Sequence, residues 1–151
     1  MLRELSDEFT VTLSKELLKL SEMDRHFFSP HKYDKESISR LLKEKGNYYY
    51  LYYDESGEFA GYGMLRTFGK YDIPTMGCVI WQEYRSRGNG KKLIEELVAK
   101  ARELHYHRIR LKVSPDNKVI YRLHRQMGCK KIGEDKNGLI WMENTTTISG
   151  T

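Results

Sequence analysis

Eight consecutive residues, Arg85-Ser86-Arg87-Gly88-Asn89-Gly90-Lys91-Lys92, carry the most legible chemistry in this chain. Cations bracket two glycines, and glycine lets an anion come close to the backbone. Before them, Cys78-Val79-Ile80-Trp81 is an apolar run of strand type. After them, Leu93, Ile94, Leu97, Val98, Ala101 and Leu104 recur at helical spacing on one face. The segment therefore predicts a strand, a glycine loop and a helix N-terminus. The N–H groups of a first helical turn have no partners within the helix and point outward, so the expected ligand is a phosphate.

The rest of the chain must position that loop. Its 151 residues predict a single domain over 1–151, with a frayed polar tail from about 144. A net charge of +5 with signs mixed along the chain describes a solvated surface as readily as an anionic partner. Cys78 and Cys129 are far apart in apolar surroundings, which fits reduced thiols and a cytoplasmic protein. No apolar stretch has the length of a membrane span, and no signal peptide is evident.

Apolar spacing predicts helices over about 13–20 and around Ile38, Leu41 and Leu42, with an aromatic loop, Phe27-Phe28-Ser29-Pro30-His31, between them. The tyrosine-rich stretch 47–53 and residues 59–65 predict a hairpin about Asp54-Glu55-Ser56-Gly57. A third strand is expected over 74–81, then the long helix, then the alternating strand Arg108-Ile109-Arg110-Leu111-Lys112-Val113. Ser114-Pro115 reads as the cap and first position of another helix, which Gly128 ends. Two short strands should follow, near 130–133 and 139–143. The fold class is α/β in the α+β sense. It is expected as a mixed, mostly antiparallel central sheet of six to seven strands flanked by about four helices. Residues 88–113 imply a parallel strand pair joined by a right-handed crossover.

With this order in place, the chain resembles the GCN5-related N-acetyltransferase (GNAT) family on three features. Residues 85–90 match the family's pyrophosphate signature of Gln or Arg, two residues, Gly, one residue, Gly or Ala. Asn117 is followed eleven residues later by Gly128, with Leu123 and Met127 between. The element order itself covers nearly the whole chain. A Walker-type loop is excluded because no Gly-Lys-Ser/Thr follows at its spacing, and the dinucleotide fingerprint lacks its third glycine.

The resemblance implies that acetyl-CoA lies where the strand ending near Trp81 splays from the strand ending near Val113. Its pyrophosphate would take N–H bonds from 87–92, with Arg85 and Arg87 adding charge, Ser86 and Asn89 in the same turn, and Asn117 facing it. Its pantetheine would pair with backbone at Val79 and Ile80, and a backbone N–H near Ile80 would polarise the thioester. An amine would then attack directly. The family's usual proton donor is a tyrosine seven residues after the helix-start Asn. Here that position is His124, with Tyr121 one turn earlier as the second candidate. Family members often place a glutamate on the strand before the loop. This strand has none, leaving Glu83 as candidate base and Asp72 as a remote alternative.

Arg25 and Phe28 are candidate acceptor contacts because the region between the first two helices walls the family's acceptor site. The plainer reading of Phe27 and Phe28 is that they plug the core. No Cys or carboxylate stands at ligand spacing beside His26, His31, His105 or His107, so no metal is expected. A non-catalytic CoA-binding or nucleic-acid-binding module is the alternative function. No aromatics interleave with Arg108, Arg110 and Lys112 as a stacking platform requires, which argues against nucleic acid. The partners expected are acetyl-CoA and an amine acceptor, with an open C-terminal sheet edge offering a homodimer contact.

Overall fold

The computed structural model describes residues 1–146. Its centre is one seven-stranded mixed sheet: β1 (Leu2–Glu4), β2 (Asn47–Tyr53), β3 (Phe59–Arg66), β4 (Thr75–Ile80), β5 (Arg108–Val113), β6 (Lys130–Glu134) and β7 (Ile140–Thr145). The spatial order is β1-β2-β3-β4-β5-β7-β6. Every neighbouring pair is antiparallel except β4 and β5. The helices are α1 (Thr10–Leu18), α2 (Glu22–Phe27), α3 (Lys35–Leu41), α4 (Asn89–Glu103) and α5 (Lys118–Gln126).

Strand alternation divides the buried side chains between two cores. The tyrosine run of β2 shows it directly. Tyr50 and Tyr52 join the α4 side with Leu93, Ile94, Leu97 and Ala101. Tyr49 and Leu51 join the other side with Leu13 and Leu17 of α1 and Ile38 and Leu41 of α3. β4 sits where the two cores meet, with Met76 and Ile80 turned to α4 and Trp81, just after the strand, on the opposite face.

Two elements left no sequence pattern, and two expectations need correction. The described residues hold five α-helices, in keeping with the expected about four, the addition being α2, which carries no apolar periodicity and no buried residue. It starts instead on a polar cap, the Ser21 hydroxyl accepting the Asp24 N–H at 3.1 Å. β1 is a three-residue strand too short to leave a pattern. The last helix is capped by Asn117, not Ser114, since Ser114 closes a turn by accepting the Asn117 N–H on its carbonyl at 3.0 Å. The polar end of the chain is ordered as far as it is described: Asn144 and Thr145 belong to β7, and buried Thr146 donates its hydroxyl to the Tyr106 carbonyl at 2.6 Å. The remainder of the expected tail, 147–151, lies outside the described residues.

Candidate active site

The parallel pair makes a gap. β4 stays in register with β3 from Thr75 to Ile80, but it pairs with β5 only at Thr75 and Arg110, where the Arg110 N–H reaches the Pro74 carbonyl at 2.9 Å. Beyond that point β4 has a free edge. The antiparallel ladder assigns which residues face it. The Trp81 N–H donates to the Ala60 carbonyl at 2.9 Å, so by alternation Val79 and Trp81 turn their backbone toward β3. Cys78 and Ile80 turn theirs into the gap. Of the expected Val79, Ile80 and Trp81, only Ile80 turns its backbone into the gap, joined there by Cys78, because a strand offers alternate residues to each neighbour.

At the end of that edge the chain makes a short 3-10 turn, Gln82–Tyr84, and enters the glycine loop. Ser86 and Gly88 adopt positive φ of 64° and 80°, and Gly88 is the N-cap of α4. A glycine cap has no side-chain acceptor, and the first turn of α4 contains no acidic residue. The helix's own bonding begins with the Lys92 N–H on the Gly88 carbonyl at 3.2 Å. The N–H groups of Asn89, Gly90 and Lys91 therefore have no acceptor among the described residues. This is a helix N-terminus built to receive an anion from outside, at the positive end of its dipole.

Several side chains of the loop are committed elsewhere. Asn89 is buried, accepting from the Tyr52 hydroxyl at 3.1 Å and donating to the Tyr84 carbonyl at 2.9 Å. Lys92 pairs with Glu55 at 2.5 Å. Arg85 folds back from the loop, giving Nε to the Ile80 carbonyl at 2.8 Å and Nη1 to Asp24 at 3.1 Å. The expectation that Arg85 adds charge at the phosphate is therefore corrected. Exposed Lys91 and Arg87, whose guanidinium carbon lies 5.8 Å from the Tyr84 ring centroid, are the cations left at the loop surface. The Asn117 side chain caps α5 by accepting the Ile120 N–H at 3.4 Å, so it positions the helix.

On α5, His124 is only 3% exposed, with Nδ1 3.9 Å from Cys129 Sγ. Burial pushes its pKa down to about 4, which favours the neutral imidazole at pH 7. Tyr121 and Leu123 fall on nearly opposite sides of the helix. Leu123 is turned toward Gly90 at the start of α4, and half-buried Tyr121 packs against the core on the α4 side of the sheet. Glu83 is exposed in the 3-10 turn beside the free edge. Asp72 precedes the paired, closed end of β4 and is remote from the gap. The acceptor-side expectations fare differently again. Arg25 binds the end of α1 through the Leu18 and Leu20 carbonyls at 2.6 and 3.1 Å, and Phe28 is buried edge-on against Tyr62. Arg25 and Phe28 are thus both engaged within the fold.

The family model for the acetyltransferase (GNAT) family matches residues 13–129. The chain belongs to this family. It is an acetyl-CoA-dependent N-acetyltransferase, with acetyl-CoA as its co-substrate. No curated protein matches the sequence. Among solved structures, spermidine N-acetyltransferase from Vibrio cholerae, in complex with CoA and spermine, superposes with a TM-score of 0.81 at 15% identity, over 97% of this chain and 95% of that one. Ribosomal-protein-alanine N-acetyltransferase from Brucella melitensis gives 0.76 at 21% identity, over 96% and 99%. Aminoglycoside acetyltransferase AAC(6')-Ib with coenzyme A gives 0.77 at 16%, over 96% and 94%. At these identities the likeness is one of fold.

The acetyltransferase's residues fit the group they would hold: three free N–H groups answer a pyrophosphate, and the open β4 edge answers the amides of pantetheine. Desolvation pushes the Cys78 and Cys129 thiols up to about 12 and about 11, which disfavours either as an acyl-enzyme nucleophile. Among the described residues no group of three His, Cys, Asp or Glu is placed to hold a metal ion, and no helix is long and apolar enough to cross a membrane. Sequence reasoning missed Cys78, which strand parity from Trp81 could have found. It also missed Asp24, whose partner Arg85 is 61 residues away and leaves no local signal.

Proposed function

We propose that this acetyltransferase acts by direct transfer to a primary amine, with its pyrophosphate site at the α4 N-terminus and its acyl site at Ile80. One observation carries the reading: the uncapped α4 N-terminus and the unpaired edge of β4 lie at the same end of the sheet. When bound, acetyl-CoA supplies the activated acyl group. Asn89, Gly90 and Lys91 donate backbone N–H bonds to phosphate, with Arg87 and Lys91 adding charge. Cys78 and Ile80 offer the backbone that a pantetheine chain needs. The Ile80 carbonyl is already taken by Arg85, which leaves the Ile80 N–H to polarise the thioester oxygen. Neutral His124, at the interval of the family's usual donor, gives the leaving sulfur a hydrogen bond from its ring N–H while the thiolate takes its proton from water, with Tyr121 as the second candidate. Glu83 accepts the amine's proton through water, a needed step because an ammonium loses it only near pH 10.4 unaided.

The acceptor enters from the α1–α2 side. Relatives of this fold are named for spermidine, aminoglycosides and ribosomal-protein alanine, which defines the amine panel to try. A nucleic-acid module is disfavoured because every cation of the basic stripe is paired: Arg108 and Arg110 share Glu143 at 3.6 and 3.1 Å, and Lys112 meets Asp135 at 3.4 Å. Free thiols fit a cytoplasmic setting, and the outer edge of β6 is the contact for a homodimer. The test is thermal stabilisation followed by thiol release. A ligand at a hundred times its Kd adds about 2.7 kcal/mol. Stabilisation by acetyl-CoA, not by an oligonucleotide, and thiol release with one amine class support the reading; no shift with acetyl-CoA overturns it.

A further inference from the structure

The helix α2 stands beside the open end of the gap without an apolar anchor of its own. None of its residues is buried, and Met23 on it is 69% exposed. Polar contacts hold it. Arg25 ties it to the end of α1, and Phe28, just past its C-terminus, enters the core. On the side of the gap it is tied through Asp24, bound to Arg85. Burial alone would raise the Asp24 carboxyl, but hydrogen bonds from Arg85 and Ser21 outweigh it and hold it below the ordinary carboxylate range. Arg85 in turn fixes the Ile80 carbonyl at the end of β4. One planar guanidinium thus joins three things: the phosphate loop on which it sits, the residue whose N–H faces the thioester, and α2.

We propose that Asp24 is a positioning residue that couples occupancy of the CoA site to the placement of α2 as a wall of the acceptor cleft. The proposal rests on the reading of the α4 N-terminus and the β4 edge as that site. Filling the site immobilises the loop and the strand end, and the rigid fork of Arg85 passes that order to Asp24. A helix without buried side chains opens at low cost, and each polar link held more rigidly raises that cost. The coupling is reciprocal, so an acceptor that docks on α2 strengthens the hold on CoA by the same factor.

Hydrogen exchange tests this without reference to turnover. CoA should slow exchange of the amides of 22–27 about fivefold or more in the wild type. Asp24→Asn should lose that slowing while residues 47–53 in the sheet exchange as before. Arg85→Gln, cutting the other end, should lose it too, and Asp24→Glu should restore part of it. In steady state, Asp24→Asn should raise the acceptor KM with kcat near wild type. Equal slowing of α2 by CoA in wild type and Asp24→Asn overturns the proposal. CoA binding with no slowing of α2 in the wild type overturns the coupling alone, whereas absence of CoA binding overturns both the coupling and the site.

Discussion

The Tyr52 hydroxyl donates to the Asn89 side-chain oxygen at 3.1 Å, joining β2 to the first residue of α4 across the buried interface. The Asn89 amide continues to the Tyr84 carbonyl at 2.9 Å, so one side chain holds both ends of the phosphate loop. Asn89→Leu should leave two buried polar groups without partners and cost about 1–3 kcal/mol in urea denaturation. Because the loop then loses its anchor, the acetyl-CoA KM should rise as well. A stable variant with an unaltered KM would show that the loop is held by other contacts.

Gly63 sets how closely α4 lies on the sheet. A Cβ there would stand 2.8 Å from Leu97 Cδ1 and 3.3 Å from Leu93 Cδ1. Both leucines are fully buried, so neither has room to yield. Gly63→Val should overpack the interface and cost about 1–3 kcal/mol by denaturation. The same displacement of α4 should weaken CoA binding, which isothermal titration would register.

His124 gives the fold a pH dependence with a definite sign. Its folded pKa, about 4, lies below the ordinary value of 6.5 because burial disfavours the cation. Between those values the unfolded chain binds the proton more readily, so stability is fully present above pH 6.5 and falls toward pH 4. The span corresponds to roughly 3 kcal/mol. Thermal melts from pH 7 to 4 should show the wild type losing this increment and His124→Gln losing less of it. Parallel curves for the two proteins would contradict the burial argument.

The same residue carries the proposed hydrogen bond to the departing thiolate. His124→Phe should lower kcat by about a hundredfold, in the range for removing one donor to a developing anion, with the acetyl-CoA KM little changed. His124→Tyr should recover part of the rate, since a phenol supplies a donor. Tyr121→Phe should stay near wild type. A reversed pattern, with Tyr121→Phe crippled and His124→Phe active, would move the role to Tyr121.

Much of this molecule was legible in its sequence, and the unread parts share a cause. Alternation and helical spacing located β2 to β7, α1, α3 and α4, because each buries a periodic face. The glycine loop at 85–92 located the anion site. What periodicity cannot carry was missed. α2 is held by Ser21, Asp24 and Arg25 through polar links, and β1 has only three residues. The roles within the site shifted for a related reason. Residue type gave Arg85 and Arg87 as phosphate charges, but Asp24, 61 residues away, binds Arg85. His124 was found by its interval from Asn117, yet its charge state depends on burial against Cys129, which spacing does not encode.

The central claim is that the bare N-terminus of α4 receives the pyrophosphate of CoA. Lys91→Glu tests it most directly by making stability and binding diverge. A carboxylate in the first turn of a helix should stabilise it by about 0.3–1 kcal/mol through the dipole. The same carboxylate competes with phosphate for the N–H groups and repels it. Calorimetric titration with CoA, alongside denaturation, should therefore find a protein at least as stable as wild type that binds CoA about tenfold or more weakly, a loss of about 1.4 kcal/mol. Undiminished CoA affinity in a stable Lys91→Glu protein would contradict the account.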